Sequence, residues 1–211
     1  MPHHIALMGR ARSGKDSVAA RLQSAHGYTP VAFAAPLKDA ALRLDPIVSV
    51  ESAGCAYLDV RLSDVVRRWG WDGAKERVPE VRRTLQRFGQ GVRDLTPDYW
   101  LRRALDLVAE ADRWNMPVVI TDCRYLNEAT ALRDRGFILV RVERPFSPRK
   151  LTGVQHQSET ELDDYPADRV IRNTGTLADL AAQADALACP DCPHCAAGMG
   201  GLSCLPGTYS P

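Results

Sequence analysis

An α/β fold is predicted, with a doubly wound parallel sheet of about five strands and helices on both faces. Three features of the sequence predict it. Short apolar runs alternate with amphipathic helical patterns over roughly the first 180 residues. A glycine-rich loop joins the first apolar run to the first helix, and a later apolar run ends in an acid. The chain has 211 residues, and a chain of this size buries roughly 70% of its unfolded surface, so it needs no disulfides to hold a core.

The elements follow in order. Strands are predicted at 5–8, 31–33, 118–121, 138–142 and 170–171, because short runs without polar interruption suit a parallel sheet covered on both faces. Helices are predicted over 15–24, 37–44, 62–69, 80–92, 98–113, 127–135 and 177–187. Gly136 stops the sixth helix and Pro117 opens the third strand. Two segments break the alternation. Between the second and third strands lie about 80 residues of mostly helical pattern, more than one crossover uses, so a helical inserted subdomain is expected over about 45–115. Residues 61–93 within it carry nine basic and four acidic side chains. Between the fourth and fifth strands, about 143–168 is expected to form a lid, with Arg144, Arg149 and Lys150 set among prolines and Gly153. The core domain is thus expected to span 1–188. The last 23 residues, 189–211, hold four Gly and four Pro and read as a tail outside the core.

Composition excludes several classes of function. Net charge is +1, from 27 basic and 26 acidic side chains, which argues against a stable nucleic-acid binder or a polybasic membrane binder. No uncharged apolar run approaches the roughly 18 residues a membrane span needs. The apolar stretch at 5–8 is too short for a signal peptide, so a cytoplasmic protein is expected. Cysteine usage agrees: Cys55 and Cys123 lie in the body of the chain and four others crowd the tail, unlike a secreted disulfide framework. Arginine outnumbers lysine 23 to four, and two of those lysines stand in the first two loops.

The run GRARSGKDS at 9–17 matches G-x-x-x-x-G-K between a strand and a helix, the P-loop arrangement. Its backbone N–H groups, with Gly9, Ser13 and Gly14 shaping the turn, form a nest for phosphates at a helix N-terminus. Lys15 reaches the β- and γ-phosphates of a nucleotide. Asp16 stands where Ser or Thr ordinarily offers Mg²⁺ a hydroxyl. It is either a metal-side group or a helix N-terminal acid facing outward, and Ser17 is a further hydroxyl for the metal.

The run PVVITDCRYLNE at 117–128 is a buried strand ending in Asp122, as the Walker-B strand of P-loop enzymes does. Asp122 suits a water-held Mg²⁺ or an oriented acceptor, and Arg124 has the fork that grips phosphate in two places. Lys38 follows the second strand, at the sheet edge where α/β proteins bind ligands. Arg68, Arg87 and Arg93 lie near Trp69, Gln86, Gln90 and Trp100, a mixture suited to a phosphate and a stacked base. Arg144 and Arg149 could close over a transferring phosphoryl group. His156 reads equally as a ligand-positioning or a structural histidine. Together these features describe a small phosphotransferase with two phosphorylated ligands.

With those residues laid out, the chain resembles bacteriophage deoxynucleoside monophosphate kinases, a branch of the P-loop nucleotide kinases. The matching stretches are GRARSGKDS at 9–17, FAAPLKDA at 33–40, LQRFGQGVRDLTPDYW at 85–100, DCRYLNEA at 122–129, HQSETELDD at 156–164 and RNTGTLADL at 172–180. Asp at position 16 is usual in that branch. The resemblance implies a P-loop kinase fold with a nucleotide-monophosphate subdomain and mobile lid, often as a dimer. It implies transfer of the ATP γ-phosphate to a deoxynucleoside monophosphate, with Mg²⁺, in a host cytoplasm if the gene is viral. Gly14, Lys15, Asp16 and Ser17 would then hold the ATP phosphates and metal, and Asn173 and Gly175 would approach the adenine. Lys38, Arg68 and Arg124 would face the acceptor, with Ser158 and Glu159 shaping that site or the lid.

Two other functions stay open on the sequence. A phosphomevalonate-kinase-like enzyme shares the SGKD loop and the S-E-x-x-L-D pattern at 158–163. A non-catalytic P-loop nucleotide sensor would need no second phosphate site. The tail, Cys189-x₂-Cys192-x₂-Cys195-x₈-Cys204 with His194, is either a structural Zn²⁺ knuckle or a flexible, redox-sensitive extension.

Overall fold

The computed structural model of the protein describes residues 3–144 and 160–188. The chain divides into two compact units, one formed by residues up to 32 and from 105 onward, the other by 33–104.

The first unit carries a five-stranded parallel sheet in the order β2-β5-β1-β6-β7. Its strands are β1 (Ile5–Met8), β2 (Thr29–Val31), β5 (Val118–Ile120), β6 (Ile138–Glu143) and β7 (Arg169–Arg172). β1 is central: Ile5 stands opposite Val119 on one side and Ile138 on the other. Period-two alternation divides the strands between two covered faces. Ile5, Leu7, Val119, Val140, Val142 and Ile171 form one apolar cluster with Val18 and Leu22 of α1 (Lys15–His26) and Leu180 and Ala184 of α7 (Leu177–Ala188). Ala6 and Met8 point the other way and are equally buried, and α6 (Leu126–Asp134) packs against β6. Gly136, at φ +79°, lies just beyond α6. The sheet matches the predicted fold class. The second strand runs over Thr29–Val31 and ends two residues earlier than its apolar run suggests, because Phe33 serves as the N-cap residue of the next helix.

Between α1 and α7 lies a polar cluster built on Asp185, which is 2% exposed. Its carboxylate accepts two hydrogen bonds from Arg21, at 2.7 and 2.8 Å, and pairs with His26 at 2.8 Å. Burial alone would push the Asp185 carboxyl up, but the Arg21 and His26 hydrogen bonds outweigh it and hold the group below its ordinary 3.8. A depressed carboxyl contributes stability that is present above the unfolded pKa and lost as pH falls through the folded one. Asp185→Ala is therefore expected to destabilise the protein by about 1.5–3 kcal/mol near neutral pH. Denaturant titrations should show that difference shrinking once pH drops below about 4.

The second unit comprises α2 (Ala34–Leu44), β3 (Ile47–Ala53), β4 (Ala56–Arg61), α3 (Leu62–Arg77), α4 (Pro79–Leu95) and the start of α5 (Tyr99–Arg113). Its core gathers Ala41, Val48, Leu62, Val65, Ala74, Val81 and Leu85. The expected mostly helical insert also holds a strand pair, β3 and β4, which form an antiparallel hairpin across Gly54 at φ +65°. The segment mixes β-branched and polar residues with a glycine turn, a weak strand signal beside strong helical patterns. A register irregularity between Ile47 and Ser49 sends Val48 into the core at 5% exposure and leaves Ile47 at 48%. The unit also starts at 33, earlier than the expected 45, so that α2 belongs to it. α3 breaks at Gly70 (φ +66°, ψ 176°), where the predicted helix ended, and then continues to Arg77.

Candidate active site

Parallel strands bring all their carboxyl ends to one edge of the sheet, where ligands of such folds bind. The order β5-β1-β6-β7 sets four sequence-distant segments side by side there. They are Asp122 after β5, the 9–14 loop after β1, Arg144 after β6, and Asn173 with Gly175 after β7.

The 9–14 loop is held in a conformation only glycine permits at two places. Gly9 has φ +132° and Gly14 φ +109°. A Cβ on Gly9 would run into the carbonyl oxygen of Val142, and one on Gly14 would sit 2.6 Å from Asn173 Nδ2. That amide donates to the carbonyl of Ser13 at 2.9 Å, tying the end of β7 to the loop. Lys15 is 6% exposed, and its ammonium donates to the carbonyl oxygens of Gly9 and Arg10, both at 2.7 Å. The Ser13 hydroxyl is buried with no hydrogen-bond partner. Gly14 offers no side-chain cap to α1, so the backbone N–H groups of its first turn point at the loop. A buried cation, an orphaned hydroxyl and an uncapped helix N-terminus make a site suited to phosphate oxygens. Asp16 and Ser17 are exposed in the first turn of α1. Asp16, Ser17 and, at the neighbouring strand end, Asp122 carry oxygen donors of the kind Mg²⁺ takes, although among the described residues no three His, Cys, Asp or Glu side chains cluster to hold a metal by themselves.

Beyond β5, the turn carrying Asp122 and Arg124 is organised by Glu128, a buried carboxylate at 1% exposure. It accepts the backbone N–H groups of Arg124 at 2.9 Å and Tyr125 at 3.2 Å. Cys123 is buried, and burial, then the Glu128 and Asp122 carboxylates, push its thiol well above its usual range, so it stays neutral. Sequence reasoning missed Glu128 as a site residue. It lies three residues after the N-cap Tyr125, the capping-box spacing, but a tyrosine where Ser or Thr is the signature gives no signal for it in sequence. Also missed were Glu161 and Asp163. Glu161 accepts the backbone N–H of Leu126 at 2.8 Å, and Asp163 accepts Arg10 of the phosphate loop at 2.5 Å. Gly175 lies beside the cap of α7, where the Asp179 carboxylate accepts the Thr176 N–H at 2.7 Å.

The acceptor-side residues of the second unit have other settings. Lys38 and Arg68 rest on tryptophan rings. Arg87 is exposed and lies 3.7 Å from Glu80 on the same helix, and Gln90 donates to Asp94 at 2.8 Å. Trp100 differs from expectation: it is 3% exposed, and its indole N–H is donated to the Gly89 carbonyl at 3.1 Å. Arg149, His156, Ser158, Glu159 and the tail cysteines Cys189, Cys192, Cys195 and Cys204 lie outside the described residues. No helix among the described residues is long and apolar enough to cross a membrane.

The family profile named Deoxynucleotide monophosphate kinase matches residues 73–184, just over half of the chain. The chain belongs to the deoxynucleotide monophosphate kinase family. The family match contains Asp122, Arg124, Glu128, Asn173 and Gly175, whereas the 9–17 loop, Lys38 and Arg68 precede it.

Two curated relatives come from Ictalurid herpesvirus 1 (strain Auburn). The uncharacterized protein ORF77 is 36% identical over 105 residues, covering 47% of this chain and 44% of its own length. The uncharacterized protein ORF76 is 35% identical over 104 residues, covering 47% and 42%. The matched region is thus under half the length of each relative. Among solved structures, TT1252 from Thermus thermophilus is similar over 85% of this chain and 92% of its own, with 22% identity and a TM-score of 0.41.

Proposed function

We propose that this kinase transfers the γ-phosphate of ATP to a 5′-deoxynucleoside monophosphate, giving the diphosphate and ADP for DNA synthesis in the cytoplasm. What supports this reading most is the 9–15 loop, where the buried Lys15 ammonium, the orphaned Ser13 hydroxyl and the uncapped α1 N-terminus meet. In this reading the loop N–H groups and Lys15 hold the β- and γ-phosphates. Asn173 ties the end of β7 to the loop through the Ser13 carbonyl, and Asn173 and Gly175 are the residues that would approach the adenine. Asp16, Ser17 and Asp122 are the residues that would hold Mg²⁺, which when bound neutralises phosphate charge.

On the acceptor side, Lys38, Arg68 and Arg124 would face the monophosphate, Ser158 and Glu159 would shape that site or the lid, and Arg144 and Arg149 would close over the transferring phosphoryl group. An acceptor phosphate oxygen attacks the γ-phosphorus. The bond from that phosphorus to the β–γ bridging oxygen breaks, and ADP leaves with its electron pair. The nucleophile is already an oxyanion, so the protein's contribution is positioning and charge stabilisation rather than proton abstraction. Arg87, Gln90 and Trp100 are less engaged in this scheme, since their side chains serve their own helices or the core.

The experiment is ADP production from ATP and Mg²⁺ against the four common deoxynucleoside monophosphates, their ribose counterparts and phosphomevalonate. Turnover with at least one deoxynucleotide is expected. Turnover with phosphomevalonate alone moves the protein to the rival enzyme class, and ATP binding without acceptor-dependent turnover makes it a sensor. Asp16→Ala should raise the Mg²⁺ concentration needed for half-maximal rate. An unchanged Mg²⁺ titration would assign Asp16 to the helix dipole alone.

The four tail cysteines leave two readings, a flexible, redox-sensitive extension or a structural Zn²⁺ site, the second because C-x₂-C spacing and thiolate donors suit tetrahedral coordination. If the second holds, protein purified anaerobically without chelator should carry zinc near one equivalent by elemental analysis. A ratio near zero rejects it.

A further inference from the structure

In the proposed reaction the 9–14 loop and the turn carrying Arg124 each hold one phosphorylated ligand, so the gap between them must match the reacting phosphates. Backbone pairing does not set that gap. The β1–β5 ladder ends at Ala6 and Ile120, before either phosphate-binding segment begins. A third segment touches both. In the turn at 160–165, Glu161 accepts the backbone N–H of Leu126 at 2.8 Å. Asp163 accepts Arg10 with both carboxylate oxygens, at 2.5 and 3.4 Å. We propose that this turn is a brace that fixes the spacing of the two phosphate sites, with Glu161 and Asp163 as positioning residues. This rests on the nucleotide-kinase reading and gives a role within it to two acids outside the ligand-binding set.

A brace needs a rigid body and a fixed footing, and the turn has both. Its backbone closes through the Asp163 N–H on the Thr160 carbonyl at 3.0 Å and the Tyr165 N–H on the Leu162 carbonyl at 3.2 Å. Leu162, between the two acids, is buried. Just beyond, the chain is tied to α6 and β6. The Arg133 guanidinium lies 5.0 Å from the Tyr165 ring centroid and donates to the Pro166 carbonyl at 2.7 Å. Arg141 donates to the Tyr165 carbonyl, and the Asp168 carboxylate accepts the Leu139 N–H at 2.8 Å.

Each acid grips a part of the chain that carries a phosphate-binding group. Leu126 is the first residue of α6, and Glu128 of the same helix holds the N–H groups of Arg124 and Tyr125. Glu161 and Glu128 therefore take three successive N–H groups, which ties the Arg124 turn to the brace. On the other side, Arg10 directly follows Gly9, and the carbonyl oxygens of both hold the Lys15 ammonium. A displaced Arg10 displaces the loop around that ammonium. The Arg10–Asp163 pair is partly exposed, and such pairs add little to stability. Its effect is expected in the reaction instead, where a misplacement of about 1 Å can cost roughly 100-fold.

The test uses the full chain as wild type, Glu161→Ala, Glu161→Gln, Asp163→Ala and the double alanine variant. Turnover is measured at saturating ATP, Mg²⁺ and the deoxynucleotide that wild type binds tightest. Calorimetry gives the affinity for each nucleotide alone and for a bridged probe, in which the two are joined through their terminal phosphates. Each alanine variant is expected to lower kcat and bridged-probe affinity by roughly 10- to 100-fold. Single-nucleotide affinities and melting temperature should stay close to wild type. The double variant should fall no further than the weaker single, because a brace released at one end no longer sets the gap. Glu161→Gln keeps an oxygen for the Leu126 N–H and should retain most of the turnover. Wild-type kcat in both alanine variants, additive losses in the double, or equal losses for single nucleotides and bridged probe overturn the inference. So does a Glu161→Gln variant as slow as Glu161→Ala. If Glu161→Ala does not fold, Asp163→Ala decides, and unchanged kcat and probe affinity there overturn it.

The two readings fail separately. An active kinase whose alanine variants turn over normally rejects only the brace. Protein that transfers no phosphate, yet loses bridged-probe affinity in both alanine variants, rejects the kinase and keeps the brace. Inactive protein whose variants bind the probe normally rejects both, as does wild-type protein that binds neither nucleotide.

Discussion

Lys15→Ala is expected to lower turnover at least about 100-fold, the scale on which removing one fixed electrostatic donor acts, with the melting temperature close to wild type. The Lys15 ammonium is nearly enclosed and donates to two loop carbonyl oxygens, those of Gly9 and Arg10. Those bonds hold a full positive charge against neutral acceptors, an arrangement readily exchanged for phosphate oxygens. In a site shielded from water, a charge aimed at a transferring phosphoryl group is worth far more than in bulk solvent. The stability cost should be small, because the two carbonyls lie at the mouth of the loop and water can reach them once the side chain is shortened. Rates with saturating ATP and acceptor, paired with a thermal melt, provide the check. Undiminished turnover in a folded variant would remove the loop from the mechanism.

Gly9→Ala should damage both the loop and the fold. At φ +132° a side chain is strained wherever it points, and here its Cβ would meet the Val142 carbonyl at the end of β6. Backbone strain of this kind costs about 1–3 kcal/mol, which for a protein of this size lowers the melting temperature by roughly 2–12 °C. Activity should fall further than stability, because the displaced backbone is the part that faces phosphate. Gly27→Ala is the control. Its φ is +69°, yet nothing stands within 4 Å of the added Cβ, so it should show strain without a clash and keep its turnover. A Gly9→Ala protein with wild-type melting and turnover would mean that the loop does not rest against β6.

The parts of this protein that are legible in sequence are those with a local physical cause. Ile5–Met8 reads as a buried strand because nothing polar interrupts it, and the GxxxxGK spacing marks the turn that follows. Asp122 and Asn173 could be singled out because each follows an apolar run, and in a parallel sheet every run ends at the same edge. The family follows from the same stretches of residues, several of which fall within the matched region.

What only the tertiary structure decided depends on which neighbours a side chain finds. The hairpin of β3 and β4 exists because pairing satisfies backbone groups in a segment whose own propensities are weak, and pairing partners are not written in local spacing. Glu128 became a site residue only when folding buried its carboxylate against the N–H groups of Arg124 and Tyr125. Asp163 met Arg10 across 153 residues of chain. Trp100 and Trp71 look alike in sequence, yet the fold buries the first and sets Lys38 on the second. Sequence determined which groups this protein owns and the order of its strands along the chain. Packing and long-range hydrogen bonding, which depend on contacts between residues far apart, decided which of those groups are held in place and which can meet a ligand.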